Sequence, residues 1–193
     1  MKFHTHAFAF LVLISVQSQR ILAQDNTFAP GNEGTPLFNS SYLVDFDEDS
    51  RIAHWVHYEL LASESLGSTQ RTEDFRRDSR STRSAGAENY RGSGYDRGHL
   101  KPAGDSKSST QEMSSSFLMT NMIPQTPALN RGIWRSLEQD IREWALRYGA
   151  VHVSTGPSIE TKTHIGQSIR VPAACWKAVL RTDPDTSAIA FMI

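Results

Sequence analysis

The chain has 193 residues, of which 38% are hydrophobic and 21% charged, and its net charge is −1. That length fits one domain plus a processing segment, and the composition excludes a disordered or fibrous protein. The balance of charge also departs from the globally basic profile of many nucleic-acid binders.

The first residues carry Lys2, and an apolar run of ten follows from Ala7 to Val16. Such a run is too short to span a bilayer, which takes about 20 residues, and suits the core of a secretory signal peptide. Cleavage after Ala23 would make residues 1–23 that peptide and leave 18 basic and 21 acidic residues, net −3. A mitochondrial presequence is the alternative, although Arg20 is the only arginine there. Location is therefore expected to be secreted or periplasmic, or else mitochondrial, with no membrane attachment after cleavage. A single cysteine, Cys175, leaves no intrachain disulfide, and its apolar neighbours predict a small buried hydrophobe.

Residues 24–41 are rich in Gly, Pro, Asn and Thr and read as a loose leader. Tyr42 to Phe46 reads as a strand, Asp47 to Arg51 as a turn, and Ile52 to Leu60 as a second strand with Ile52, His54, Val56, Tyr58 and Leu60 on one face. Residues 62–94 lack periodicity and predict a long functional loop. Phe117 to Ile123 reads as a strand stopped by Pro124. Over 131–149, Ile133, Trp134, Leu137, Ile141, Trp144, Ala145 and Tyr148 recur at helical spacing. Val151 to Thr155, ended by Gly156-Pro157, then Arg170 to Leu180 and Ser187 to Ile193, are further strands. The chain stops at Ile193 inside an apolar run, so the domain at 42–193 is expected to be truncated.

Charge is unevenly placed. Residues 24–50 hold six acids and no Lys or Arg, whereas residues 71–101 hold eight basic residues against five acids. A local positive stripe can bind phosphates on an acidic protein. Inside it lies Asp96-Arg97-Gly98-His99, which sets a titratable imidazole two residues from a guanidinium. Cleaving a phosphodiester needs that combination: a base for water and a fixed cation for phosphate. A second cluster follows: Asn121-Met122-Ile123-Pro124-Gln125, then Asn130-Arg131-Gly132-Ile133-Trp134, then Leu137-Glu138.

Together these two motifs resemble the DNA/RNA non-specific endonuclease family. The flanks Tyr90 to Leu100, Arg71 to Asp78 and Ser154 to Pro157 look like its endonuclease G branch. The resemblance covers roughly residues 42–193. It implies an α+β fold with a mixed, mainly antiparallel central sheet and a ββα-metal (His-Me finger) active site. It further implies a Mg²⁺-dependent, sugar-non-specific endonuclease acting on DNA and RNA, leaving 5′-phosphorylated products, with Mn²⁺ able to substitute. Homodimerisation is compatible with it.

Under this reading His99 is the general base, since a free imidazole titrates near ~6.5 and is largely neutral at neutral pH. Gly98 would allow a phosphate close approach or an unusual backbone angle. Asn130 is the metal ligand, because an amide oxygen is a hard donor suited to Mg²⁺, which keeps most of its waters. Asn130 reads equally as a helix N-cap. Glu138 lies roughly 80° round the helix from Asn130; it would order water or pass a proton to the leaving oxygen, or else pair on the surface with Arg142. Arg97 and Arg71 are phosphate clamps, with Arg131 as a further contact. Asn121 and Asp96 would support these groups from behind. Trp134 and Trp144 fall on the apolar stripe and read as core. His54, His57, His152 and His164 lack metal-ligand spacing. Two rival readings share the residues: a catalytically impaired nucleic-acid-binding protein of nuclease fold, and a secreted structural domain.

Overall fold

The computed structural model describes residues 26–193, so the signal peptide expected at 1–23 lies outside the described residues. Three strands come first: β1 (Thr35–Phe38), β2 (Leu43–Asp47) and β3 (Ile52–Leu61). A short helix α1 (Ala62–Ser65) follows β3, and a long segment leads to β4 (Asp96–His99). After α2 (Thr110–Ser115) comes β5 (Met122–Gln125), antiparallel to β4. Then follow α3 (Pro127–Arg131), α4 (Ile133–Tyr148) and β6 (Ala150–Ser158). A small pair, β7 (His164–Ile165) and β8 (Ile169–Arg170), precedes β9 (Ala174–Arg181) and β10 (Ser187–Met192).

Six strands form one sheet in the order β1-β2-β3-β6-β9-β10, every neighbouring pair antiparallel. The fold is the expected mixed α+β arrangement with a mainly antiparallel central sheet. The separate β4-β5 pair and the helices after it form a ββα unit, and α4 packs on β3 and β6. Trp134, Leu137, Ile141 and Ala145 supply the buried stripe of α4 and join Val56, Tyr58, Leu60, Val151 and Val153 in the main core. Each fully buried large side chain stabilises the fold by roughly 1.5–3 kcal/mol. Ile133, at one end of the expected stripe, is 58% exposed. Cys175 is buried in the same core, as expected of a small hydrophobe.

Several local expectations are corrected. The alternation in β3 accounts for half of its burial, because Ala53, Trp55 and His57 on the other face are buried too. The cover there is the segment read as a loose leader. Trp55 Nε1 donates to the Gly31 carbonyl at 3.1 Å, the Asp45 carboxylate accepts from the Glu33 and Gly34 amides at 3.0 Å, and β1 pairs with β2. Composition gave no hint that a buried Asp45 would gather those donors.

Strand and helix limits shift where proline and glycine were read as breakers. Met119–Asn121 is a turn of 3-10 helix, and the strand begins only at Met122 and includes Pro124. Pro157 likewise lies within β6, beyond the last residue that pairs with β3, so only its β9 side needs a ladder. Proline is tolerated where the missing N–H faces an unpaired edge. The strand expected from Arg170 to Leu180 divides into β8 and β9 around Pro172. The long loop carries α1 and a 3-10 turn at Ala87–Tyr90. It is also pinned by Asp78, which accepts from Arg80 at 2.6 Å and from Thr120 at 2.8 Å.

The helix expected over 131–149 is α4, Ile133–Tyr148, and the short α3 ends just before it at Arg131. Thr126 caps α3 by accepting from the Leu129 amide at 3.3 Å, with Pro127 in the first turn. Gly132, at φ −103° and ψ −115°, ends α3 and starts α4. A β-carbon there would clash with the Ala128 carbonyl oxygen. Gly132→Ala should therefore destabilise the protein by about 2 kcal/mol. Thermal unfolding should show a melting temperature lower by roughly 4–8 °C.

Candidate active site

His99 closes β4, and the chain after it is held from three sides. The Leu100 amide donates to the Asn121 carbonyl at 3.0 Å. Asn121, itself fully buried, accepts from the Lys101 amide at 2.9 Å and donates to the Lys101 and Ser116 carbonyls at 2.9 and 2.8 Å. Two lysines with no solvent exposure complete the clamp: Lys177 from β9 donates to the Leu100 carbonyl at 3.3 Å, and Lys101 to the Ser41 carbonyl at 2.9 Å. Neither lysine was singled out in the sequence, because nothing in a strand pattern marks a lysine that points inward.

The His99 ring lies edge-on to Phe75 and Phe117, at 5.7 and 5.1 Å between centroids. Its Nε2 is buried without a hydrogen-bond partner among the described residues. Two cations cover the same aromatic pair, Arg97 at 3.9 Å over Phe75 and Arg71 at 4.7 Å over Phe117. Burial, with the Arg71 and Arg97 charges added, holds the His99 pKa down to about 3. The imidazole is thus neutral throughout the physiological range.

A cavity of about 350 Å³ opens beside it, lined by His99, Asn130, Glu138 and five arginines: Arg71, Arg97, Arg131, Arg135 and Arg142. The residues expected to act on substrate or metal are brought together here, while Asn121 and Asp96 stand behind them. Arg135 and Arg142 were not anticipated as cavity residues. Their spacing could have shown them, at three residues before and four after Glu138 on one helical face.

Asn130 is not an N-cap, since it lies within α3 and its amide donates to the Thr126 carbonyl at 2.9 Å. Its Nδ2 donates to Asp96 at 3.0 Å, which leaves the amide oxygen outside that pair. Asp96 also takes Arg131 in a two-pronged pair at 2.7 and 2.6 Å, and this is the main reason its carboxyl titrates below the usual range. Arg131 is therefore partly engaged, and its side chain is 70% exposed. Arg71 makes one exposed ion pair with Glu73 at 3.1 Å.

Glu138 does not form the surface pair that was the alternative to a place in the site, because Arg142 donates to Asp105 at 2.8 Å. Tyr58 donates to the other Asp105 oxygen at 3.0 Å, tying this part of the site to β3. Burial raises the Glu138 pKa to about 7, against opposing positive charge from Lys177 and Arg142. Gly98 makes room for a neighbouring strand, since a β-carbon there would strike the Gln125 side chain. Trp134 is fully buried, with the Lys177 ammonium 4.7 Å from its ring centre.

Among the described residues, no three or more His, Cys, Asp or Glu side chains cluster as a metal cage, and no helix is long and apolar enough to cross a membrane. A profile of the DNA/RNA non-specific endonucleases matches residues 23–193. The chain belongs to the DNA/RNA non-specific endonuclease family. It is 34% identical to a nuclease of Nostoc sp. over 158 residues, 79% of this chain and 57% of that protein. It is 37% identical to the mitochondrial endonuclease G of Homo sapiens over 126 residues, 64% of this chain and 42% of that one. The chain thus spans about half the length of the curated relatives it matches. EndoG, in a crystal structure of the EndoG/EndoGI complex, shares the fold with a TM-score of 0.83 at 24% identity, covering 89% of this chain and 78% of that one. In this endonuclease-family chain, then, the ββα unit of β4, β5 and the helices carries the cavity, and the central sheet carries the ββα unit.

The buried imidazole has a consequence for stability. Its folded pKa near 3 lies below the unfolded value of about 6.5, so the fold resists protonation. His99 costs nothing above pH ~6.5 and costs about 2 kcal/mol by pH ~5. Glu138 has the opposite sign: its raised pKa of about 7 stabilises the fold as pH falls from ~7 to ~4.5. Urea unfolding of wild type and His99→Gln at several pH values separates the two. The wild type should lose stability relative to the variant between pH ~6.5 and ~5, and parallel curves would refute the buried neutral imidazole.

Proposed function

We propose that the protein is a Mg²⁺-dependent endonuclease that hydrolyses phosphodiester bonds of DNA and RNA and leaves 5′-phosphorylated ends. The observation that carries this reading is a neutral, buried His99 on the wall of a cavity lined by five arginines and one carboxyl. Names of relatives such as nuclease and endonuclease G support the reaction class.

Each residue has a task that its surroundings favour. Arg97 and Arg71 are steadied over aromatic rings and hold the phosphate. The His99 imidazole takes a proton from a water, whose oxygen attacks phosphorus in line with the 3′ oxygen. The P–O3′ bond breaks, and Glu138, with a pKa of about 7, returns a proton to the departing oxygen. Asn121 and the buried lysines keep His99 from moving. Contacts to phosphate rather than to base edges predict weak sequence selectivity.

The donor set fits a hard cation. Asp96 takes the Asn130 amide nitrogen and leaves the amide oxygen as a hard donor on the cavity wall. One or two protein oxygens with retained waters is how Mg²⁺ is commonly bound. Bound there, Mg²⁺ or Mn²⁺ supplies positive charge to the phosphate and the leaving oxygen. For location, the basic start and short apolar run support export, and the mitochondrial names of relatives support the alternative.

Plasmid cleavage with Mg²⁺ tests the assignment. His99→Ala should slow turnover by about 10²–10⁴-fold and Glu138→Gln by about 10²-fold. Asn130→Ala should raise the Mg²⁺ concentration needed for half-maximal rate. A His99→Ala enzyme with wild-type turnover would overturn the reading.

A further inference from the structure

A second cavity, of about 270 Å³, adjoins the first through Arg97, which lines both. Its wall includes Tyr90, Arg91 and Tyr95. Tyr90 is 5% exposed, yet its hydroxyl is buried with no hydrogen-bond partner among the described residues. Leaving such a group unpaired costs roughly 1–3 kcal/mol. Arg91 is exposed and makes no ion pair among the described residues, whereas Arg77, Arg80, Arg131 and Arg142 are all engaged. The two carboxylates of the wall are already taken, Glu88 by Arg77 and Asp96 by Arg131. The loop between the tyrosines is fixed rather than slack. Gly92 and Gly94 take φ of +70° and +81°, and Ser93 Oγ donates to the Tyr90 carbonyl at 2.8 Å and accepts from the Tyr95 amide at 3.1 Å.

These features specify a ligand with an anion, a flat face and a polar edge. An unengaged guanidinium selects phosphate, a phenol ring selects a base face, and a lone buried hydroxyl selects a hydrogen-bonding edge. The volume is near the low end of ligand pockets, about 300 Å³, and suits one nucleotide rather than several. We propose that this cavity is a subsite for the nucleotide next to the phosphate held by Arg97. Arg91 meets its phosphate, Tyr95 its base face, and the Tyr90 hydroxyl its base or sugar edge. This rests on the nuclease reading of the neighbouring cavity. It adds a preference: a base that reaches Tyr95 must leave a duplex stack, so unpaired strands bind better than duplex.

Binding of a fluorescein-labelled oligothymidylate, followed by anisotropy in Mg²⁺, tests the subsite in a His99→Ala background, and in wild-type protein with chelator as a second format. Arg91→Ala should weaken binding about 5–10-fold and flatten the log–log salt slope by about 0.7, the loss of one phosphate contact on a single strand. Tyr90→Phe should weaken binding about 3–10-fold while the melting temperature holds or rises, because it removes an unpaired hydroxyl. A structural role for that hydroxyl predicts the reverse, a lower melting temperature. The same losses should be smaller on a duplex of equal length. Unchanged affinity and slope in both variants, or no binding by the parent protein, overturns the subsite. No plasmid cleavage by wild type, with these binding losses intact, refutes the nuclease reading and leaves the subsite standing.

Discussion

The burial of His99 between Phe75 and Phe117, with Nε2 unpaired among the described residues, sets the demands that the rest of the structure meets. A ring nitrogen without a partner in an apolar setting destabilises the fold, and it stays there only if its backbone cannot relax. The turn after β4 supplies that rigidity. Asn121 uses its amide oxygen and both of its amide protons on Lys101 and Ser116, so the turn is fixed by a fully engaged side chain. Lys177 reaches from β9 to the Leu100 carbonyl, so the central sheet holds the turn directly. Burying two ammonium groups is costly, and burial accordingly lowers both lysine pKa values. Glu64 near Lys101, and Glu138 and Asp105 near Lys177, offset part of that cost.

A chain of net charge −1 builds a strongly cationic cavity by segregating its charges. Three nearby acids are each matched to an arginine: Asp96 to Arg131, Asp105 to Arg142, Glu73 to Arg71. These pairs orient the guanidinium groups more than they stabilise the fold, since exposed ion pairs contribute about 0–1 kcal/mol. Asp105 is the exception, being 1% exposed and shared between Arg142 on α4 and Tyr58 on β3. It makes the α4 wall of the cavity continuous with the sheet.

Legibility from sequence followed the physics of each signal. The 3.6-residue stripe of α4 was readable because one face packs and the other is wet, and Trp134, Leu137, Ile141 and Ala145 are buried as that rule requires. The faces of β3 were half readable, because alternation assumes one wet face and the N-terminal segment dries the other. Pro124 and Pro157 misled because a proline reads as a stop unless the edge on which its N–H is missing is known. Of the residues that share the cavity, Arg71, Arg97, His99, Asn130, Arg131 and Glu138 were legible through the motifs and their flanks, whereas Arg135 and Arg142 were not. The lysines that fix them were not, because an inward lysine is specified by partners in three dimensions, here carbonyls at positions 41 and 100.

The cations and the imidazole also constrain one another. In the proposed reaction Arg71 and Arg97 hold the phosphate, and the same two charges push the His99 pKa down. Under that proposal an imidazole held near 3 stays unprotonated but is a weak base. An anion seated between those guanidinium groups offsets their repulsion of a protonated imidazole. It therefore restores basicity at the moment a phosphate is in place. Burial, the larger cause, stays. The imidazole then remains weaker than a free one, and the proposed mechanism would place weight on Glu138 to assist departure of the leaving oxygen. A single buried histidine among arginines is in this way better suited to a substrate that carries its own negative charge than to a neutral one.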